Sequence, residues 1–316
     1  MTGLFEELAK LLPKDRVLRD EPLSRHTTFR TGGPADYFLT LETLTELKDT
    51  LAFLREKGIG FFLLGRGSNV LVSDKGYRGV IISLGGEFNV VDITLSSGTY
   101  PLNENSDCFT YIHAGAGTSL AALASFACKH SLTGLEFASG IPGSMGGGVI
   151  MNAGAYGSEI KDVLRECTIL DKKGNIRTLS NQEMAFGYRT SRGKTEGFII
   201  LDAIFSLKQG KQAEIQSRME ELNQKRREKQ PLEYPSAGST FKRPPGQFAG
   251  KLIEEAGLKG LTVGGAQVSP KHCGFIVNNH NAASSDIYRL IREVQEKVAE
   301  KSGIWLEPEV IFLGEF

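Results

Sequence analysis

The chain has 316 residues, 40% hydrophobic and 23% charged, ordinary values for a soluble globular protein with room for two or three domains. Its 37 Lys and Arg balance 37 Asp and Glu, so no global field favours nucleic acid or an anionic membrane surface. Residues Met1 to Leu12 read as an amphipathic stretch rather than a signal peptide, and no apolar run approaches the ~18 residues that span a bilayer, so a cytoplasmic location is expected. Cys108, Cys128, Cys167 and Cys273 form no CxxC pair; the reading is reduced, buried thiols, with no metal site. The 37 glycines are clustered, which marks tight turns or backbone lying close to a ligand.

Thr43-Leu44-Thr45-Glu46 is a capping box that opens a helix with Leu44, Leu47, Leu51 and Leu54 on one face, and Gly58 is its stop. Phe61-Phe62-Leu63-Leu64 reads as a buried strand, and Val80-Ile81-Ile82 as a second one. Asn89 to Asp107 is polar and reads as an exposed hairpin or loop. Tyr111 to Ala114 is a strand, followed by a helix from Leu120 to His130 that Thr118 can cap. Strands are expected near Glu166–Leu170 and Ile199–Phe205, then a charged helix over Lys211–Lys229 with Ile215, Met219 and Leu222 inward, ended by Pro231. A helix at Gln247–Ala256, a strand at Gly274–Val277, a helix carrying Ile287, Leu290, Ile291 and Val294, and a final strand from Trp305 to Leu313 complete a mixed α+β order.

Two glycine clusters carry the functional signal. Gly65-Arg66-Gly67-Ser68-Asn69-Val70 follows a strand, and its backbone N–H groups can form a concave nest for phosphate oxygens. It is not a dinucleotide-binding fingerprint, because no helix follows it: Ser73-Asp74 interrupts after Leu71-Val72. Taken alone, an ordinary tight turn fits as well. The second cluster runs from Ser139-Gly140-Ile141-Pro142-Gly143-Ser144-Met145-Gly146-Gly147-Gly148 to Asn152-Ala153-Gly154-Ala155-Tyr156-Gly157. Flexible linkers lack its interleaved Ile141, Met145, Val149, Ile150 and Met151, so an ordered loop against a planar or diphosphate ligand fits better.

These segments resemble the FAD-contacting parts of the UDP-N-acetylenolpyruvoylglucosamine reductase family. The resemblance continues through His26-Thr27-Thr28-Phe29-Arg30-Thr31-Gly32-Gly33, Tyr188-Arg189, Gly238-Ser239-Thr240-Phe241-Lys242 and Leu306-Glu307-Pro308-Glu309-Val310, in the family's order. It implies a vanillyl-alcohol-oxidase-like FAD-binding domain of two α+β subdomains, residues 1–85 and 86–210, and a C-terminal α+β substrate-binding domain, residues 211–316. It implies FAD contacts at Arg30, Gly65, Arg66, Gly67, Ser68, Asn69, Val70, Thr118, Gly140, Ile141, Pro142, Gly143, Ser144, Gly146, Gly147, Asn152, Gly154, Ala155, Tyr156 and Gly157. Neither cluster holds a His or Cys, so the FAD is expected to be noncovalent. The stretch between Arg189 and Ser239 is too short for the substrate-capping insert of one subclass, so no tyrosine lid is expected.

The family's chemistry is the NADPH-dependent reduction of the enol ether of a UDP-sugar in peptidoglycan synthesis. Hydride added at the methylene carbon leaves negative charge that spreads into a carboxylate. The site must therefore supply positive charge at the carboxylate and an acid for the adjacent carbon. A fixed guanidinium suits the first task; the residues leave Arg189 and Arg192 nearly even, and the resemblance selects Arg189. Strand alternation would put Glu307 and Glu309 on one face, with Glu309 flanked by apolar neighbours that can raise its pKa. The resemblance makes Glu309 the second catalytic group and Ser239 the proton donor. Lys229, Arg227, Lys242 and His272 are candidate contacts to the UDP-sugar substrate. A flavin-dependent sugar or alcohol oxidase on the same scaffold and a noncatalytic FAD or UDP-sugar binding module remain alternatives.

Overall fold

The computed structural model describes residues 2–94 and 109–316; Cys108 and most of the polar stretch at 89–107 lie outside the described residues. The chain divides into two compact units, one of Met1–Leu39, Leu54–Ile82 and Arg226–Phe316, the other of Thr40–Phe53 and Ser83–Lys225. The α+β class expected from the sequence is the class observed.

In the first unit, four strands lie in the order Val17–Pro22, Pro34–Leu41, Tyr77–Leu84, Phe61–Leu63. The last two run parallel, with Phe62 opposite Ile81. Phe61 corrects the expectation of a fully buried run. It is 40% exposed, Phe62 and Leu63 are half-buried in this short edge strand, and only Leu64, just after it, is buried. A separate parallel pair joins Val70–Val72 to Ile311–Leu313, so the strand after the first glycine turn lies beside the C-terminal segment. Leu23, Ala35, Phe38, Leu64, Val70, Val72, Ile81 and Leu313 pack into one core there. A second core gathers Phe241, Leu252, Ile253, Val268 and Ile276 around the helix Ser284–Ser302. Ile287, Leu290, Ile291 and Val294, spaced for one helical face, are fully buried in it.

The final strand is shorter than the apolar alternation predicts. Only Ile311–Leu313 forms a strand, and before it Pro308 makes a single antiparallel bridge to Phe241. Proline has no N–H to extend the ladder. The inward side of the alternation survives, with Leu306 and Val310 both buried.

The second unit is built on an antiparallel sheet in the order Ile176–Ser180, Leu164–Leu170, Ile199–Gln209, Phe109–Gly115, Val91–Thr94. Its helix Leu120–Lys129 presents Leu120, Leu123, Ala124 and Ala127 to the core. The capping box at Thr43 forms as expected: Glu46 N–H donates to Thr43 Oγ1 at 3.1 Å, and Thr43 N–H donates to Glu46 Oε2 at 3.3 Å. Cys128, Cys167 and Cys273 are buried free thiols. Burial, with Asp202 and Glu166 adding repulsion, pushes the Cys167 thiol up to about 12. Among the described residues, no helix is long and apolar enough to cross a membrane.

Candidate active site

The second glycine cluster folds as built structure, and this modifies the expectation of an ordered loop. Ser144 caps a short helix, Met145–Ile150, which contains three of the glycines. Packing accounts for Gly146, where a Cβ would stand 2.9 Å from the Ala116 Cβ. Backbone bonds then zip this segment to residues 116–120: Met145 N–H donates to Thr118 O at 2.7 Å, Gly146 N–H to Ala116 O at 2.9 Å, and Leu120 N–H to Gly143 O at 2.9 Å.

Thr118 does not cap the helix at Leu120. That place is taken by Ser119, in extended conformation, whose Oγ accepts from Ala122 N–H at 3.1 Å. The displaced Thr118 hydroxyl is buried and has no protein partner. Such a group carries a desolvation penalty of about 1–3 kcal/mol, so a ligand's polar atom is its natural complement. On this observation the residues fit an FAD.

After the short helix, Gly154–Ala155 and Ser158–Glu159 form a hairpin. Its two loop residues, Tyr156 (φ 55°) and Gly157 (φ 90°), both have positive φ, as a type I′ turn requires. Tyr156 stands 42% exposed at the tip. Asn152 is also left-handed (φ 44°) but fully buried, its amide committed to protein partners. Any contact it makes to a cofactor is therefore through its backbone.

Arg189 sits in the same unit, in a turn closed by Gly187 N–H to Thr190 O at 3.0 Å. Its backbone is left-handed (φ 54°), a conformation that L side chains adopt at a cost of about 1–3 kcal/mol and that must be held by surroundings. The guanidinium donates from Nη2 to Gly154 O at 3.2 Å and lies 5.2 Å from the centroid of the Tyr188 ring. Arg192 is differently engaged: its Nε lies 2.5 Å from Glu196 Oε1, and its guanidinium is over Phe198. Arg192 thus reaches Glu196 and Phe198, whereas Arg189 reaches the backbone at Gly154 and the Tyr188 ring.

In the first unit, Gly67 (φ 60°) lets the turn cross the chain at His26, whose carbonyl oxygen would lie 2.0 Å from any Cβ. Arg30 is exposed and also left-handed (φ 55°). Asn69 links this turn to the C-terminal segment. Its Nδ2 donates to Glu309 O at 3.1 Å, and its own carbonyl accepts from Ile311 N–H at 3.0 Å. Glu309 N–H in turn donates to Thr240 O at 2.8 Å, and Lys242 N–H to Glu307 O at 2.9 Å. This register sets Thr240 opposite Glu309, and Ser239 is the next residue along the same segment.

Lys242 and Glu307 form an ion pair, with Glu307 68% exposed. Lys242 is thus partnered by a solvated carboxylate, and Glu309 is the less exposed of the two glutamates. Lys229 and Arg227 lie exposed in the last turn of the helix Gln212–Lys229. Burial lowers the pKa of His272, and its Nδ1 accepts from Gly274 N–H at 3.1 Å, which leaves the neutral ring with its proton on Nε2.

Residues 35–180 match the FAD binding domain family, and residues 230–313 match the C-terminal domain of UDP-N-acetylenolpyruvoylglucosamine reductase. The reductase of that name from Caldanaerobacter subterraneus subsp. tengcongensis is 50% identical over 99% of this chain and 98% of its own length. The chain belongs to the UDP-N-acetylenolpyruvoylglucosamine reductase family. The Clostridioides difficile relative is 46% identical, again over 99% of this chain and 98% of its own. The crystal structure of the Thermus caldophilus enzyme superposes with a TM-score of 0.78 at 38% identity, covering 95% of this chain and 99% of that one. A family member carrying an FAD-binding domain is an oxidoreductase and a flavoprotein.

Proposed function

We propose that the chain reduces UDP-N-acetylglucosamine enolpyruvate to UDP-N-acetylmuramate with NADPH, in the cytoplasm, as a step of peptidoglycan synthesis. The observation that carries this reading is the end-to-end identity with reductases named for that substrate. The unpartnered Thr118 hydroxyl in the FAD-matched region supports noncovalent FAD as cofactor. Bound FAD supplies hydride, taken from NADPH, to the methylene carbon of the enol ether.

Arg189 holds the substrate carboxylate, where negative charge grows as hydride arrives, and its permanent charge is worth most at that moment. Glu309 completes the carboxylate contact as an acid that shares or donates a proton. Ser239 delivers a proton to the carbon bearing the ether oxygen, which balances the hydride added next to it. Lys229, Lys242 and His272 contact the UDP-sugar, and Lys242 does so while held by Glu307. Arg30, Gly65 to Val70, Thr118 and the cluster from Gly140 to Gly157 line the FAD. The division into residues 1–85, 86–210 and 211–316 belongs to the same proposal, and the two family matches, ending at 180 and beginning at 230, leave room for its second boundary.

Mass spectrometry of the product tests the reading. The enolpyruvyl substrate should gain two hydrogens, at the expense of NADPH, only when enzyme is present. Oxidation of NADPH with the substrate returned unchanged would refute it.

A further inference from the structure

Arg189 sits in a strained turn, and a buried side chain pins the first residue of that turn. Asn152 is fully buried, and its amide is used in full. One Nδ2 hydrogen goes to Gly187 O at 3.0 Å, the other to Glu159 Oε2 at 3.0 Å, while Oδ1 accepts from Lys161 N–H at 3.0 Å. The partner chemistry fixes the amide orientation, because two acceptors face Nδ2 and a donor faces Oδ1. Glu159 is itself fixed: Oε2 also lies 2.7 Å from Lys161 Nζ, and its N–H is taken by Asp162 Oδ2 at 2.8 Å. Gly187 is the first residue of the turn that presents Arg189, and Gly154, which accepts from the Arg189 guanidinium, follows Asn152 by two positions. The amide thus clamps the backbone under the arginine and the backbone that receives its side chain.

We propose that Asn152, braced by Glu159, is a positioning residue for Arg189, so that its side chain acts, through that arginine, on substrate carboxylate binding. The inference rests on the assignment of Arg189 to that carboxylate. Its physical basis is that a left-handed arginine returns to extended or right-handed backbone unless the turn is pinned at Gly187. A displacement of about 1 Å at a charge-holding group is enough to lose on the order of 10²-fold in rate. Asparagine suits its own left-handed backbone, so Asn152→Gly keeps that conformation while deleting the clamp. Asn152→Asp keeps shape and conformation but sets a carboxylate against Glu159 and the Gly187 carbonyl.

The test is a double-mutant cycle on the purified holoenzyme with Asn152→Gly, Asn152→Asp, Arg189→Ala and the two combinations. Both Asn152 variants should slow reoxidation of the reduced flavin by UDP-N-acetylglucosamine enolpyruvate by roughly 10- to 100-fold. Reduction by NADPH, which does not involve the substrate carboxylate, should be slowed less than reoxidation. Calorimetric binding of UDP-N-acetylmuramate should weaken in both. Because the clamp acts through Arg189, adding either Asn152 change to Arg189→Ala should slow reoxidation little further. Full additivity in the cycle, or equal slowing of both half-reactions with loss of flavin, overturns the proposal for whichever variant shows it. An Arg189→Ala enzyme that reoxidises normally would instead remove the role given to Arg189, a distinct failure.

Discussion

The turn that carries Arg189 and the ladder that carries Ser239 and Glu309 are braced differently. The Arg189 turn, closed by its own backbone, is pinned to the rest of its unit by buried side chains. Asn152 grips Gly187 O, and Ser191 Oγ donates to Ile150 O at 2.7 Å just beyond the turn. The Glu309 segment is held mainly by main chain, through its own N–H to Thr240 O and its pairing beyond Asn69 with Val70–Val72, and the Asn69 amide adds a side-chain bond to Glu309 O. A side-chain clamp permits strained backbone such as that of Arg189 but fails with one substitution. A backbone ladder tolerates many side chains, because its bonds do not depend on them.

The largest effect should come from the ladder's chemistry rather than its hold. Ser239→Ala should slow substrate-driven reoxidation of the reduced flavin by ~10²–10⁴-fold while NADPH reduces the flavin at near the wild-type rate. Stopped-flow absorbance separates the two steps, and a slowed NADPH step with normal reoxidation would remove Ser239 from the proton path. Next comes the ladder's buried support. Thr240 is fully buried and its Oγ1 accepts from Ile276 N–H at 3.0 Å. Thr240→Val keeps the volume and orphans that N–H, so denaturant unfolding should show a loss of about 1–3 kcal/mol. An unchanged midpoint would mean that the ladder does not depend on this bond.

Asp74, just after the strand Val70–Val72, adds an ionic clasp to the same region. Its carboxylate accepts from Ser284 N–H at 2.7 Å and Ser285 N–H at 2.9 Å, where the long C-terminal helix begins. Burial alone would raise its pKa, but the bonds from Ser285 and Ser284 outweigh that and hold it below the ordinary value. With the folded pKa depressed, its contribution is complete above the unfolded value and is lost as pH falls through the folded one. The gap in unfolding free energy between wild type and Asp74→Asn, read from denaturant titration at neutral pH, should therefore close on acidification. A gap independent of pH would contradict the ionic clasp. The smallest effect belongs to Glu307→Gln, which breaks an exposed pair with Lys242 worth about 0–1 kcal/mol. Activity should persist in Glu307→Gln and fall strongly in Glu309→Gln; the reverse would show that the wrong glutamate was chosen.

Much of the ladder is legible in the sequence, and little of the clamp is. The alternation of Leu306 and Val310 against Glu307 and Glu309 is local, so it survives even though the strand proper begins only at Ile311. The capping box at Thr43 and the helical faces at Leu120 and Ile287 are local patterns too, and they fold as read. Asn152 instead meets Gly187 across 35 residues, a pairing no periodicity encodes. In sequence it reads as one more residue of a glycine-rich ligand loop. Thr118 has the chemistry of a cap in sequence, but Ser119, one residue on, has the same chemistry and takes the position. The strand Ile176–Ser180 went unread because all but Leu179 and Ser180 is exposed, so alternation is weak.

The central claim is that bound FAD carries reducing equivalents from NADPH to an enolpyruvyl UDP-sugar. Anaerobic visible spectroscopy of the purified protein tests it in one cuvette. The protein should be yellow, bleach on adding NADPH, and regain its full oxidised spectrum when UDP-N-acetylglucosamine enolpyruvate is added without oxygen. Heat or acid should then release free FAD to the supernatant. A flavin that NADPH bleaches but that only oxygen restores would contradict the account and point to an oxidase.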